Sequence, residues 1–346
     1  FVYHSALTGY AADLTPAARD ALARDPRVAS VEPDRQLTPA GQVVPLGVER
    51  VGATLSAAAN IGSGQPPLGV NVAVLDTGID LQHPDLNVVG GVDCTGSGTW
   101  EDTVGHGTFV AGLAAARDDG RGVVGVAPGA RLWAVKVMGP DETVTDAAFL
   151  CGLDWVAQNA STIDVVNLSL GGPGNDADCG GGAYDAVALE HDAVCRIVAA
   201  GVVAVASAGN SGIDAGGTNP AGFPEVITVS ALTDTDGMPG GLGPPSSCYP
   251  GADDTLAAYS DFGASVDIAA PGTCVESTWL GDQYAVASGT SAAAPLVSGA
   301  AALVRAVHPD WPVEMVRQYL LVTATPGPLA GDTDGYPEPI LNVAGY

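Results

Sequence analysis

Three short glycine-flanked segments, Asp76-Thr77-Gly78, His106-Gly107-Thr108 and Gly289-Thr290-Ser291-Ala292-Ala293-Ala294-Pro295, supply a carboxylate, an imidazole and a hydroxyl in one chain. A serine hydroxyl is a weak nucleophile at its free pKa. It attacks a carbonyl when a neutral imidazole takes its proton, and a carboxylate must fix that imidazole's tautomer. Each segment alone has an ordinary explanation: a strand-end turn for Asp76, a structural histidine for His106, a helix N-cap for Ser291. Together they point to acyl transfer, with Ser291 as nucleophile, His106 as general base and then acid, and Asp76 as the group that orients the ring. Asn210, in Ala208-Gly209-Asn210, is the candidate side-chain donor to the developing oxyanion, beside the backbone N–H of Ser291. The same Asn-Ser-Gly run also reads as a plain turn.

These residues need a scaffold, and the sequence predicts one. From Gly69 onward, apolar runs (Val70 to Leu75, Arg131 to Val137, Asp164 to Leu170, Val202 to Ala206, Val226 to Ala231) alternate with helical stretches (His106 to Ala116, Thr145 to Asn159, Asp185 to Ala200, Ser291 to Val307). Continuous hydrophobicity means that both strand faces are buried, as in a parallel sheet covered by helices, so the expectation is an α/β fold. Sites in such sheets form beyond the carboxyl ends of strands and at helix starts. Asp76 ends the first run, Asn210 follows the fourth, and His106 and Ser291 open helices. Pro295 is read as lying in the first turn of its helix, where a missing N–H costs little. The first 40 residues read differently, as a short helix Thr15 to Arg24, with Thr15 as N-cap and Pro16 at its first position, between strand-like segments Phe1 to Thr8 and Val28 to Glu32.

Acidic residues number 39 against 12 basic ones, a net charge of −27, and Lys136 is the only lysine. Such a surface repels phosphate backbones and anionic headgroups, so neither nucleic acid nor membrane is expected as a partner. No uninterrupted apolar run reaches membrane-spanning length, and the longest, Ile197 to Ala208, is broken by glycine. The chain opens at Phe1 without an initiator Met or an apolar leader, so any signal peptide is expected to lie outside this stretch. Six cysteines without C-x-x-C spacing suggest three disulfides outside the cytosol, with six buried thiols as the alternative. Fifteen pairings are open, of which Cys94 with Cys151, Cys179 with Cys195 and Cys248 with Cys274 are expected.

The order acid, base, nucleophile, the run Val72 to Asp80 followed by His83-Pro84-Asp85-Leu86, the run His106 to Gly112 continuing to Gly125-Val126-Ala127-Pro128, and Val166 to Gly172 together resemble a subtilisin-like serine protease from about Gln42 to the C-terminus. The wrong triad order and the lack of Gly-x-Ser-x-Gly speak against a lipase or esterase. The resemblance implies a three-layer subtilisin-like fold with a mostly parallel central sheet flanked by helices in 41–346, and a small α+β remnant of an inhibitory propeptide in 1–40, with cleavage near Ala40-Gly41. It implies a secreted, monomeric endopeptidase acting on proteins or peptides, with its own propeptide as a further partner, the alternative being a catalytically silent relative. Ser169, Leu170 and Gly171 on one side and Glu142, Thr143 and Val144 on the other would hold an extended substrate, with Gly209 bordering the pocket before the cut and Asp146 near a more distal one. It further implies a structural Ca²⁺ held by Gln42, Asp85 and Asp119 and by carbonyls of Arg117, Arg121 and Val123, where the alternative is a metal-free Asp-Asp-Gly turn. Phe109, Ala292 and Leu296 depart from the residues usual in the family. Activity is expected to rise as His106 loses its proton, at about 6.5 for an unperturbed histidine.

Overall fold

A computed structural model describes the whole chain except residues 1, 4–8, 11, 13, 30, 32–40, 65–66, 176–177, 182–184 and 328. It divides into two compact units, Phe1–Gly41 and Gln42–Tyr346. In the first, β1 (Val2–Tyr3) pairs antiparallel with β2 (Gly9–Tyr10), and α1 (Pro16–Leu22) follows. Thr15 caps α1 by accepting from the Ala18 N–H, and Pro16 sits in its first turn, as the sequence predicts. Of the predicted strand Val28 to Glu32, the described residues Val28, Ala29 and Val31 lie in no strand. The segment Leu37 to Ala40 falls outside the described residues.

The second unit runs α2 (Leu46–Arg50), β3 (Asn71–Asp76), β4 (Val88–Asp93), α3 (His106–Ala115), β5 (Arg131–Lys136), α4 (Asp146–Gln158), β6 (Val165–Leu168), β7 (Gly172–Pro173), α5 (Ala186–Ala199), β8 (Val203–Ser207), β9 (Thr218–Asn219) and β10 (Ile227–Thr233). It continues through β11 (Thr255–Leu256), β12 (Ile268–Pro271), β13 (Val275–Trp279), β14 (Gln283–Ala287), α6 (Thr290–Val307) and α7 (Val313–Thr323). Eight strands form the main sheet in the order β11-β10-β8-β6-β3-β5-β4, with β12 also on β10. All its pairings are parallel except β10 with β11.

Alternate residues of the same strand feed opposite cores, which is why the apolar runs are continuous. Val72 and Val74 of β3 face a cluster built on α3 and α6, whereas Ala73 and Leu75 face one built on α4 and α5. α6 is long and apolar enough to pass for a membrane span by composition, yet 83% of it is buried inside the fold, so it is a core helix. The expected disulfides Cys94–Cys151, Cys179–Cys195 and Cys248–Cys274 are all present. Closing loops of 57, 16 and 26 residues removes entropy from the unfolded chain, about 3 to 4 kcal/mol each in the chain-entropy account.

The end of β3 and the start of α3 meet at backbone contact. A Cβ on Gly107 would stand 2.1 Å from the Gly78 carbonyl oxygen and 3.0 Å from the Asp76 Cβ. Gly107→Ala is therefore expected to cost at least about 2 kcal/mol by overpacking, read as a lowered thermal midpoint. A variant as stable as the parent would show that this approach is not tight.

Candidate functional site

Asp76 is the last residue of β3 and is fully buried. Its Oδ1 accepts from the Thr77 N–H at 2.7 Å, and His106 Nδ1 donates to Oδ1 at 2.8 Å and Oδ2 at 2.9 Å. A carboxylate offers only acceptors, so this bond places the proton on Nδ1 and leaves Nε2 as the base of the neutral ring. The attraction of Asp76 pushes the His106 pKa up to about 9, against the opposing effect of burial. The unperturbed value expected from sequence is thereby displaced upward.

The residues that fix His106 are neighbours of the predicted ones. Asp102 caps α3: its Oδ1 accepts from the N–H groups of Val104 and Gly105, and its Oδ2 accepts from the Thr108 N–H and hydroxyl. Thr108 Oγ1 accepts from the Asp80 N–H, and Thr77 Oγ1 accepts from the Gly107 N–H, so helix and strand end are sewn together.

Ser291 is the second residue of α6 and half-exposed. Pro295 lies deeper than the first turn, five residues beyond Thr290, which corrects the sequence reading. Its missing N–H deprives the Ser291 carbonyl of its intrahelical donor. Ser169 supplies the replacement, its hydroxyl donating to that carbonyl at 3.1 Å. Asn167 Nδ2 in turn donates to Ser169 Oγ, and Ser298 Oγ donates to Asn167 Oδ1, a buried polar chain that ties the end of β6 to α6. The Ser169 hydroxyl thus serves the nucleophile's helix, although the residue also lines the cleft.

Asn210 is oriented by Thr290. Its Oδ1 accepts from the Thr290 N–H at 2.8 Å and the Thr290 hydroxyl at 3.0 Å, which commits the amide oxygen and frees Nδ2. Ser291 Oγ and Asn210 Nδ2 lie 3.0 and 3.5 Å from where a Cβ on Gly289 would be, so hydroxyl and amide border the same small space. Asp261 holds the turn beyond, its Oδ1 accepting from the N–H groups of Ser211 and Ile213.

His106, Asn210 and Ser291 share one open cleft of about 530 Å³, lined also by Glu142, Ser169, Leu170, Gly171 and Gly209. Val144 lies instead on a smaller pocket of about 90 Å³, and Thr143 borders neither. Pairing of β7 with β9 sets Gly172 against Asn219, and Leu170, Gly171, Gly172 and Asn219 are common to both spaces. The smaller pocket also carries Asp146 at its rim and Glu190, 3% exposed, whose carboxyl accepts from Asn219 Nδ2. Burial first, and then the charge of Asp146, push the Glu190 carboxyl up to about 7. The three departures, Phe109, Ala292 and Leu296, are all buried in the α3–α6 core.

The six predicted metal-site residues sit on one loop system. Gln42 Oε1 accepts from the Gly120 N–H, the Asp85 carbonyl from the Arg117 N–H, and Asp119 Oδ1 from the Arg121 N–H. Asp85 Oδ2 accepts from the Val123 N–H and the Tyr284 hydroxyl, whereas buried Oδ1 has no hydrogen-bond partner. Burial pushes this carboxyl above its usual range. A buried carboxylate oxygen without a hydrogen-bond donor fits a hard cation.

Comparison with known proteins gives the family. The profile of the Subtilase family matches residues 68–343, and that of the peptidase inhibitor I9 family matches residues 2–40. An alkaline protease of Alkalihalobacillus alcalophilus is 40% identical over 332 residues, 95% of this chain and 77% of that protein. Subtilisin E of Bacillus subtilis is 37% identical over 339 residues, 96% of this chain and 79% of the relative. The crystal structure of a cold adapted subtilisin-like serine proteinase matches with a TM-score of 0.68 at 28% identity, over 88% of this chain and 99% of that one.

The Asp76 charge predicts a specific titration. In a Ser291→Ala protein, the NMR signals of His106 should show a midpoint well above the ordinary value of about 6.5, with the imidazolium favoured below it. A midpoint at or below that value would mean that the carboxylate does not act on the ring.

Proposed function

The chain belongs to the subtilase family and is a subtilisin-like serine endopeptidase, and from that premise we propose that Asp76, His106 and Ser291 are its catalytic triad, assisted by Asn210. The observation that carries the assignment is the buried Asp76 carboxylate on His106 Nδ1, in one cleft with Ser291. The proton of Ser291 Oγ passes to His106 Nε2 as Oγ bonds to the scissile carbonyl carbon. The oxyanion takes hydrogen bonds from Asn210 Nδ2 and the Ser291 N–H, in the field of the α6 N-terminus. Collapse breaks the C–N bond, and His106 returns the proton to the leaving amine. Water, deprotonated by the same ring, then releases the acyl group from Ser291. Replacing the side-chain donor typically costs roughly 10²–10³ in kcat, a figure measured on subtilisin itself.

The inhibitor-like unit at 2–40 supports a precursor matured by cleavage near Ala40-Gly41, and the disulfides support an extracellular, secreted product. We assign it as a monomer, without nucleic-acid or membrane partners. A structural Ca²⁺ would be held by Asp85, Asp119, Gln42 and the carbonyls of Arg117, Arg121 and Val123, fastening the exit of α3 to the segment at Gln42. It takes no part in bond cleavage.

Substrate backbone would lie between Ser169-Leu170-Gly171 and Glu142-Thr143-Val144, with one side chain reaching the pocket of Asp146 and Glu190. Two carboxyl groups and no cation among the described lining residues favour a lysine or arginine there, and the space suits the end of such a chain. With peptide substrates varied at that position, Lys should exceed Leu several-fold in kcat/KM at pH 8.5. The ratio should shrink below pH 7, as Glu190 takes up its proton, and in Glu190→Gln. Equal ratios in parent and variant would remove Glu190 from selection. The enzyme assignment is tested by fluorophosphonate labelling of mature protein: a single adduct is expected on Ser291 and none in Ser291→Ala, and an unlabelled folded parent would contradict the triad.

A further inference from the structure

Away from the cleft, the side chains of Cys179, His191, Cys195 and Glu225 converge, and the ligand atom that each can offer lies within 4.8 Å of all the others. Cys179 and Cys195 form a disulfide. His191 and Cys195 stand four residues apart on α5, hence on one face of that helix. Cys179 comes from the loop before α5, and Glu225 from the turn before β10. Among the described residues neither of the other two disulfides belongs to such a group.

Contacts other than the S–S bond hold these side chains together. The Gly180 N–H donates to Asp192 Oδ1 at 2.6 Å, which pins the Cys179 loop to α5 beside His191. The His191 ring is fully buried and stacks on Phe223 with centroids 4.4 Å apart, and its Nε2 donates to Glu225 Oε2 at 2.6 Å. Glu225 Oε1 lies 3.0 Å from Cys179 Sγ. A disulfide sulfur carries no proton, so oxygen and sulfur meet there lone pair to lone pair. Opening the S–S bond would leave two thiols beside an imidazole nitrogen and a carboxylate, each on an anchored segment.

Two thiolates, an imidazole and a carboxylate are a tetrahedral ligand set for Zn²⁺. Bonds of about 2.3 Å to sulfur and about 2.0 Å to nitrogen or oxygen put the ligand atoms of such a site roughly 3.3 to 3.8 Å apart. That spacing falls within the span of this cluster. Calcium takes oxygen ligands, so the sulfur atoms set this site apart from the Asp85 loop. Cys179 is exposed, which leaves its bond open to a reductant.

We propose that Cys179, His191, Cys195 and Glu225 form a latent Zn²⁺ site that opens when a dithiol reduces the Cys179–Cys195 bond. The dithiol supplies two electrons and two protons and leaves as its own disulfide, while Cys179 and Cys195 become thiols. Zn²⁺ then displaces both thiol protons to solvent, and the His191 proton moves from Nε2 to Nδ1 as Nε2 becomes a ligand. The ion replaces the lost cross-link between the Cys179 loop and α5, and adds the Glu225 turn to it. The inference does not depend on the protease assignment.

The test uses the full chain with Ser291→Ala, which prevents self-digestion, reduced by a phosphine that does not compete for metal, with Co²⁺ as the spectroscopic stand-in for Zn²⁺. One equivalent of Co²⁺ should give thiolate-to-cobalt charge transfer and the intense visible bands of a tetrahedral site, bleached by one equivalent of Zn²⁺ and absent before reduction. Reduction frees all six cysteines, so the bands should vanish in Cys179→Ser/Cys195→Ser and persist in Cys248→Ser/Cys274→Ser. Should the first of these not fold, Glu225→Gln keeps the disulfide and should bind Zn²⁺ at least tenfold more weakly after reduction. Zinc present during reduction should also raise the thermal midpoint of the parent more than that of Glu225→Gln. Reduced parent without the bands, bands that survive the loss of Cys179 and Cys195, or unchanged affinity in Glu225→Gln would overturn the site. A reduced parent that unfolds alike with and without zinc would do the same.

Discussion

A negative charge buried at the carboxyl end of a central parallel strand must be met by donors, or the fold cannot hold it ionised. Asp76 meets that demand with the Thr77 N–H and the His106 ring, and most of the surrounding architecture can be traced to keeping that ring in place. Gly107 lets α3 approach β3 at backbone contact, Asp102 caps the helix, and Thr77 and Thr108 bond across the junction. The interaction that stabilises Asp76 is also the one that raises the basicity of His106. Structure and chemistry therefore share a single electrostatic requirement.

The nucleophile's helix follows a different logic. α6 is a core helix whose burial comes from packing against the sheet, and Pro295 interrupts its backbone ladder close to Ser291. The released carbonyl is bonded by Ser169, itself held by Asn167, so the substrate-side strand end and the nucleophile are coupled through hydroxyl and amide groups. Thr290 couples the same helix start to Asn210. Small displacements of β6 or of the Asn210 turn would thus be felt at Ser291, where reaction geometry matters most.

Much of this was legible in the sequence. Strands buried on both faces betray themselves as continuous apolar runs, and from Gly69 onward the five strands and four helices read from the pattern begin and end within about two residues of the observed ones. Of the two strands read in the first 40 residues, Phe1 to Thr8 is a strand only at Val2–Tyr3 among its described residues, and Val28 to Glu32 is none among its own. Strands β2, β4, β7, β9, β11, β12, β13 and β14 and helices α2 and α7 escaped that reading. β4 is half-buried at the sheet edge and carries Gly90-Gly91, and β12 is only four residues ending in Pro271. The positioning residues were harder still. Asn167 and Ser298 lie 131 residues apart, and Asn210 and Thr290 lie 80 apart, so no local pattern reports their bonds. Asp102 bonds Thr108 only six residues on, yet it stands three residues outside the N-cap position, which is Gly105, so the usual capping pattern does not report it. The start of α6 is legible to within one residue of Thr290, and counted from it Pro295 already falls in the second turn.

The central claim is that Asp76, His106 and Ser291 act as one unit. The direct measurement is kcat on a peptide substrate for Ser291→Ala, His106→Ala and the double variant, each purified after propeptide removal in trans. If the hydroxyl is reactive only through the ring, the double variant will be no slower than either single one, a complete failure of additivity. Independent, multiplying losses would contradict the account and leave Ser291 and His106 as separate contributors.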